Sequence, residues 1–388
     1  MKIQYVSGSA FPSEISHTLS KIRMCQAFSD AGHDVLLTAI DAVKEEQDLI
    51  KFYGLKGGFK ISLQKTNFLI NNRFTRKFHI LNLINSFFHL RNIKQFKPDV
   101  IYSRLTILEL LFLPNDIPIL YEMHSLGPFG KGFFAKTFFK LVLKLKNFNK
   151  IIVSSAILLK MLEEHIKDIE IIAARLSAEE PVEIKEIDLE NFKKKNLLGD
   201  KFLQHVGYTG YLDLIGLRGT DIICKVASQM PNVAFHIVGG KPEIVEHWKD
   251  YSTGWNTNRN IFFYGHRNPL QIPFFLKCFD VVLAPLQFKP ISRAPTGANM
   301  SPLKLPQYMA YKKAMVVSDL NAHQEILNQD ITAMFVDFND VNSWKNNIEK
   351  LLLSPEKRIE MGENCYKEYL LKFTPEGRVK KILNNINV

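Results

Sequence analysis

The sequence predicts an α/β chain of two doubly wound, Rossmann-like domains, and three observations carry that expectation. At 388 residues the chain exceeds one ordinary core and suits two domains of about 150 to 200 residues each. A strand, a glycine and a helix leading into a second strand open the chain, and the same order restarts near its middle. Short apolar segments then alternate with helical ones through both halves, the pattern of parallel sheets covered by helices.

In the first half, residues 2–7 form a short apolar run (Ile3, Tyr5, Val6) followed by Gly8, read as a turn. Residues 16–31 show helical spacing through Leu19, Ile22, Met24, Ala27 and Phe28, and Gly32-His33 ends the helix. Strand candidates follow at 35–39, 100–103, 119–122 and 151–154. In the second half, residues 202–208 form a strand that ends in Gly210, and 220–228 are helical. Strand 233–238 is closed by Gly239-Gly240 and strand 261–264 by Gly265, with further strands at 281–285, 314–318 and 333–336. Residues 177–195 are charged and lack apolar periodicity, which marks a linker. The expected division is 1–185, 186–370 and a terminal helix, 371–388, that packs back on the first domain. That helix ends one long helical stretch, about 354–387.

Composition excludes several classes. No apolar run approaches the roughly 20 residues that span a bilayer. The first residues run straight into a strand, without a signal peptide's apolar core, so a cytoplasmic location is expected. Cys25, Cys224, Cys278 and Cys365 have neither metal-like nor redox-like spacing and read as reduced core thiols. Neither half holds the glycine fingerprint of dinucleotide-binding enzymes or a phosphate-cradling P-loop. The formal charge of +11 is concentrated in the first half: residues 49–98 hold ten Lys or Arg and no acid. Such a face attracts anionic partners, although a plain solvated surface has the same composition. No nucleic-acid recognition module is visible, so no nucleic-acid partner is expected.

Six passages, in order, resemble family 4 of the retaining glycosyltransferases over nearly the whole chain. They are the Gly8 segment with Ala27-Phe28-Ser29-Asp30-Ala31-Gly32-His33-Asp34-Val35, Tyr121-Glu122-Met123-His124, and Phe235-His236-Ile237-Val238-Gly239-Gly240. Asn260 to Gly265, Phe279 to Pro285, and Ser301-Pro302-Leu303-Lys304-Leu305-Pro306-Gln307-Tyr308-Met309-Ala310 complete the set. The resemblance implies the GT-B architecture: two facing Rossmann-like domains, with a C-terminal helix crossing back to the first. It further implies a nucleoside-diphosphate sugar donor, UDP- or GDP-linked, and transfer with retention at the anomeric carbon. No cofactor and no metal are expected, and no Asp-x-Asp triplet occurs in the sequence.

Without a metal, the growing charge on the leaving diphosphate needs cations and oriented amides from the protein. The resemblance assigns this task to an Arg and a Lys after the first strand of the second domain. Here Tyr211 stands at the Arg position and Arg218 at the Lys position. Gly8 and Gly210 are the expected backbone approaches to the donor. Ser301, Pro302 and Leu303 would present amides at a helix start, with Lys304 as a second cation. His124, just after a strand, is implied as a contact of the transferred sugar, with Glu122 as its support. The family's paired glutamates are replaced by Asn299 and Gln307. Asn299 keeps polarity toward the donor sugar, and Gln307 accepts a ribose hydroxyl without charge, hence more weakly. Pro375 replaces a frequent Trp at the start of the return helix, a position that tolerates proline.

Acceptors in this architecture dock on the first domain. Residues 132–150 interleave Phe133, Phe134, Phe138, Phe139 and Phe148 with lysines and no acid, as an interfacial helix on an anionic membrane does. Residues 71–97 repeat the theme with Arg73, Arg76, Lys77, Phe78, Phe87, Phe88 and Arg91. A glycan or lipid-linked acceptor in cell-envelope polysaccharide synthesis is the resulting expectation. Two other classes stay open: a catalytically silent GT-B binding protein, motivated by Asn299 and Gln307, and a sugar-nucleotide epimerase.

Overall fold

The computed structural model describes residues 1–13, 16–41, 48–65, 80–196, 202–257, 259–288 and 303–386. Contacts divide the chain into two compact units, Met1–Arg175 with Pro375–Val388, and Leu176–Thr374.

In the first unit the order is β1 (Lys2–Phe11), α1 (Ser16–Asp30), β2 (Asp34–Asp41), α2 (Leu49–Tyr53), β3 (Lys60–Lys65) and α3 (Ile80–Phe96). Then follow β4 (Val100–Ser103), α4 (Ile107–Leu110), β5 (Ile119–Met123), α5 (Phe133–Leu145), β6 (Phe148–Val153), α6 (Ala156–Glu163) and β7 (Glu170–Ala173). Among the described residues the sheet order is β3-β2-β1-β4-β5-β6-β7. Its pairings are parallel. Both faces are covered, so the central strands are apolar almost throughout. Alternate residues feed two cores: Tyr5, Val100 and Tyr102 belong to one, Ile101, Tyr121 and Ile151 to the other.

The second unit contains α7 (Glu186–Asn196), β8 (His205–Thr209), α8 (Thr220–Ser228), β9 (Ala234–Val238), α9 (Pro242–Thr253) and β10 (Ile261–Gly265). It continues with α10 (Ile272–Cys278), β11 (Val281–Ala284), α11 (Lys304–Ala310), β12 (Ala314–Ser318), α12 (Asn321–Gln324), β13 (Met334–Val336), α13 (Val341–Leu352) and α14 (Pro355–Lys372). Its parallel sheet runs β10-β9-β8-β11-β12-β13. The chain then returns to the first unit as α15 (Pro375–Leu383). In each sheet the winding reverses at the first strand, between β1 and β4 and between β8 and β11. The carboxyl ends of the strands at such a reversal are where open α/β sheets bind ligands.

Four local expectations are corrected. β1 does not turn at Gly8; it runs on to Phe11, with a register irregularity between Val6 and Ala10. The edge strands β3 and β7 were not anticipated: β3 alternates polar with apolar residues, and β7 is only four residues long. The stretch 132–150 is not one helix: α5 ends at Leu145, and Phe148 and Lys150 are buried in β6. The stretch 354–387 is two helices, because proline disfavours helical backbone at the residue before it and starts a new helix well.

Cys25, Cys224, Cys278 and Cys365 are free thiols. Among the described residues, no helix is long and apolar enough to cross a membrane.

Candidate functional site

Glycine ends three adjacent strands of the second sheet: Gly210 after β8, Gly239 after β9 and Gly265 on β10. The Gly210 N–H donates to the Val238 carbonyl at 2.9 Å, and the Gly239 N–H to the Gly265 carbonyl at 2.8 Å. A Cβ on Gly239 would lie 1.9 Å from the Gly210 carbonyl oxygen, so the close packing of this edge requires glycine. A hollow of ≈ 1200 Å³ lined by Phe202, Gln204, Asn232 and Arg259 lies instead before the first residues of β8 to β10.

The loop from Gly210 to Gly219 is wound around Asp213. Its carboxylate accepts the backbone N–H groups of Ile215 at 3.0 Å, Leu217 at 2.9 Å and Arg218 at 3.1 Å. The Trp248 indole N–H donates to the Asp213 carbonyl at 2.8 Å. These bonds deliver Arg218, half-buried, to the start of α8, with its guanidinium 5.9 Å from the centroid of the Tyr211 ring. Tyr211, at the position where the family resemblance expects an arginine, thus stands beside the cation that the chain does possess.

Lys304 opens α11, and its Nζ lies 3.6 Å from the centroid of the buried Tyr208 ring. The Tyr208 hydroxyl donates to the Tyr211 carbonyl at 2.8 Å. Burial, and then the charge of Arg218, push the Lys304 ammonium well below the usual lysine range, with no carboxylate among the causes. Arg218, Lys304 and Gly210 are therefore brought together: Lys304 Nζ lies 3.1 Å from where a Gly210 Cβ would stand. Two neighbouring cations in a desolvated, glycine-lined edge suit a polyanion. Its charge would relieve the repulsion and favour a protonated Lys304.

Tyr308 ties α11 to β8 by accepting the Thr209 backbone N–H at 2.9 Å. Leu303 caps the helix start, and half-buried Gln307 lies three residues after Lys304, on the same side of the helix. Asn299, Ser301 and Pro302 lie outside the described residues. His323 was not anticipated. Burial pushes its imidazole down to about 4, and Nδ1 donates to the Ser318 carbonyl at 2.8 Å, so it is a neutral ring close enough to feel Lys304.

In the first unit, the end of β5 carries Glu122 and, two residues on, His124. Nε2 of His124 lies 2.6 Å from Oε1 of Glu122, which also accepts from Nη2 of Arg378 at 2.9 Å. Oε2 accepts the Tyr102 hydroxyl at 2.5 Å. Burial alone would push the Glu122 carboxyl up. Arg378, then Arg104 and His124, outweigh it and hold the carboxyl well below the usual range. With both oxygens engaged and its charge stabilised, Glu122 supports His124 and is no nucleophile. Burial lowers His124 below the usual imidazole value despite Glu122, so the ring is neutral at pH 7.

Around them lies a second group that the sequence left unmarked. Lys21, buried on α1, donates from Nζ to the Ser7 hydroxyl at 3.2 Å and also to Ser9. Burial, then Arg104, push it down to about 7. Gly8 lies between these serines, and a Cβ there would stand 3.3 Å from Oε1 of the buried Glu109. Gly8 thus belongs to the same sheet edge as His124, while Gly210, Arg218, Lys304 and Gln307 belong to the other unit.

The two basic, aromatic stretches differ in what they expose. On α5, Phe139, Val142 and Leu143 are buried. Phe133 is 76% and Phe134 87% exposed, and Phe138, Leu141 and Leu145 are exposed on the same helix as Lys140 and Lys144. On α3 the buried residues are largely polar (Asn85, Ser86, His89, Asn92), and Phe87 is exposed. Arg73, Arg76, Lys77 and Phe78 lie outside the described residues.

Residues 218–368, which include Arg218, Lys304 and Gln307, match the family model "Glycosyl transferases group 1". No curated protein matches the chain. Among solved structures the chain resembles a glycosyltransferase from Rickettsia africae at a TM-score of 0.74 and 15% identity, covering 99% of each chain. It also resembles a sucrose-phosphate synthase from Thermosynechococcus elongatus at 0.72 and 15% identity, covering 97% of this chain and 96% of that one. Anabaena HepE in complex with UDP-glucose gives 0.69 and 14% identity over 98% of each chain. At these identities the likeness speaks for the fold, and the family match speaks for the second unit. Residues 218–368 thus match the group 1 glycosyltransferases, and the chain has the GT-B fold, with two Rossmann-like domains, of the solved structures it resembles.

Proposed function

We propose that the chain is a metal-independent, retaining glycosyltransferase that moves a sugar from a UDP- or GDP-linked donor to a glycan or lipid-linked acceptor in cell-envelope polysaccharide synthesis. The observation that carries this is the pair of cations, Arg218 and Lys304, beside Gly210 inside the family-matched segment. As the glycosidic bond to the diphosphate breaks, negative charge grows on the leaving oxygen. Arg218 holds it with a forked guanidinium, and Lys304 binds it as the proton-loaded ammonium. Glycines 210 and 239 let the backbone approach the diphosphate closely. Gln307, one helical turn from Lys304, accepts a ribose hydroxyl through its amide oxygen. His124 meets the transferred sugar. The complex of HepE with UDP-glucose makes a UDP-linked donor the first to try.

The exposed Phe133 and Phe134 beside Lys131, with Lys136, Lys140 and Lys144 further along α5, support an acceptor side that works against an anionic bilayer. Changing both to serine should abolish sedimentation with phosphatidylglycerol vesicles while leaving donor-dependent nucleotide release intact. Equal binding by the variant would remove the membrane from the account.

Nucleotide release is measured with UDP- and GDP-sugars, with and without glycan or lipid-linked acceptors, and the anomeric proton coupling of the product is read by NMR. Retained configuration and a rate indifferent to EDTA are expected. An inverted product would exclude the retaining mechanism, and an acceptor-free change of the sugar would identify an epimerase instead.

Gln307 supports a second reading, because its uncharged amide grips ribose weakly. Gln307→Glu should keep or raise the transfer rate, mainly through a lower KM for the donor. Absence of turnover from both forms would identify a silent binding protein.

A further inference from the structure

Glu122, Arg378 and His124 come together from β5, the residues following it and the C-terminal helix. α15 brings Arg378 back into the first unit, where Val379 and Ile382 are buried with it. Its Nη2 reaches the same Glu122 oxygen that holds His124 Nε2. A buried ion pair is a poor device for stability, since an apolar pair of similar volume usually serves as well. This one sits under a histidine whose side chain is 29% exposed while those of Glu122 and Arg378 are 2% and 4% exposed.

We propose that Arg378 and Glu122 are positioning residues that lock His124 in its Nε2–H tautomer and present the bare Nδ1 to a hydroxyl of the sugar. An ionised carboxylate can only accept, so at 2.6 Å the His124 Nε2 must donate. In the neutral ring the proton is then on Nε2, and Nδ1 carries the lone pair. Arg378 keeps Glu122 ionised and turns Oε1 toward the ring, and Tyr102 holds Oε2. A neutral imidazole so fixed accepts a hydrogen bond from a hydroxyl donor and excludes a carboxylate or phosphate at that point. The sugar atom beside His124 is therefore a hydroxyl. The role in transfer rests on the glycosyltransferase reading, whereas the tautomer and its cause do not.

The charged and titratable groups that face this ring are Glu122 on β5, His17 on α1, Arg104 after β4, and Arg378 on α15; Lys21, Tyr5 and Tyr102 surround Glu122. Their signs predict opposite effects from the two positioning residues. Glu122 raises the His124 pKa, and Arg378 lowers it.

Long-range proton–nitrogen NMR of histidine-labelled protein tests this, with the His124 signals assigned by their loss in His124→Asn. Nε2 should be protonated and Nδ1 bare at pH 7. Glu122→Gln should lower the His124 pKa further, and Arg378→Met should raise it. Arg378→Lys, which keeps the charge, should return it toward the wild-type value. Should either single variant fail to fold, the double variant Glu122→Gln/Arg378→Met removes both buried charges together and should lose the tautomer preference. A proton on Nδ1 in the wild type, or shifts of the same sign in the two single variants, would overturn the proposal. Where transfer is measured as well, Arg378→Met should lower kcat about 100-fold with little change in donor KM, as a misplaced contact does. The NMR pattern in a chain that transfers nothing would keep the positioning role and discard the transferase reading.

Discussion

Arg218→Ala should lower the rate of sugar transfer by about 100- to 1000-fold, the loss expected when one preorganised group on a developing anion is removed. The loop itself should survive the change. Asp213 holds it through three backbone N–H groups, one of them the amide of residue 218, and alanine keeps that amide. The lost group is the guanidinium beside Tyr211 and Lys304. Arg218→Lys should recover only part of the rate, because an ammonium cannot fork onto two phosphate oxygens. A second consequence follows from the Lys304 ammonium, which burial and then Arg218 push down. Without Arg218, Lys304 holds its proton more readily, so fewer protons should be taken up when the donor binds. Initial rates with a nucleotide-release assay, and calorimetry in buffers of different ionisation enthalpy, measure the two effects.

Glu122→Ala should destabilise the first unit by about 3 to 5 kcal/mol at pH 7, because it leaves the Arg378 guanidinium buried without its counter-ion. The pH dependence has a definite sign. The Glu122 carboxyl is held below its unfolded value, so its contribution is complete above an unfolded pKa of about 4.3 and is lost as the pH falls toward the folded value. The gap in denaturation midpoint between wild type and Glu122→Ala should therefore be full at pH 7 and narrow steadily below about pH 4. A gap that stays constant down to pH 3 would mean that the carboxylate charge contributes nothing to the fold.

How much of this was legible in the sequence depended on the kind of signal. The buried central strands were visible because burial on both faces of a parallel sheet makes them short apolar runs, as at Val100–Ser103 and Ala314–Ser318. The edge strand Lys60–Lys65, which alternates lysine, serine and glutamine with Ile61 and Leu63, has no such run and went unseen. Arg218 and Lys304 were readable from their places in ordered motifs. Tyr208 and His323 were not, since their importance lies in a ring face and a neutral imidazole that only tertiary packing brings to Lys304. Arg378 was the least visible of all. It lies 256 residues from Glu122, and no spacing rule connects a strand end to a helix that returns from the end of the chain. A buried glutamate beside a histidine does call for a cation, but sequence alone cannot say which of the 50 Lys and Arg residues supplies it.

In the proposed function the second unit holds the diphosphate of an activated sugar between Arg218 and Lys304. Thermal unfolding of the wild type and of Arg218→Ala, each with UDP- and GDP-sugars, tests it most directly. A donor at about a hundred times its dissociation constant should stabilise the wild type by about 2.7 kcal/mol. A raised Tm with one donor class, lost in Arg218→Ala, is the expected result. No shift with either class, or an equal shift in the variant, would contradict it.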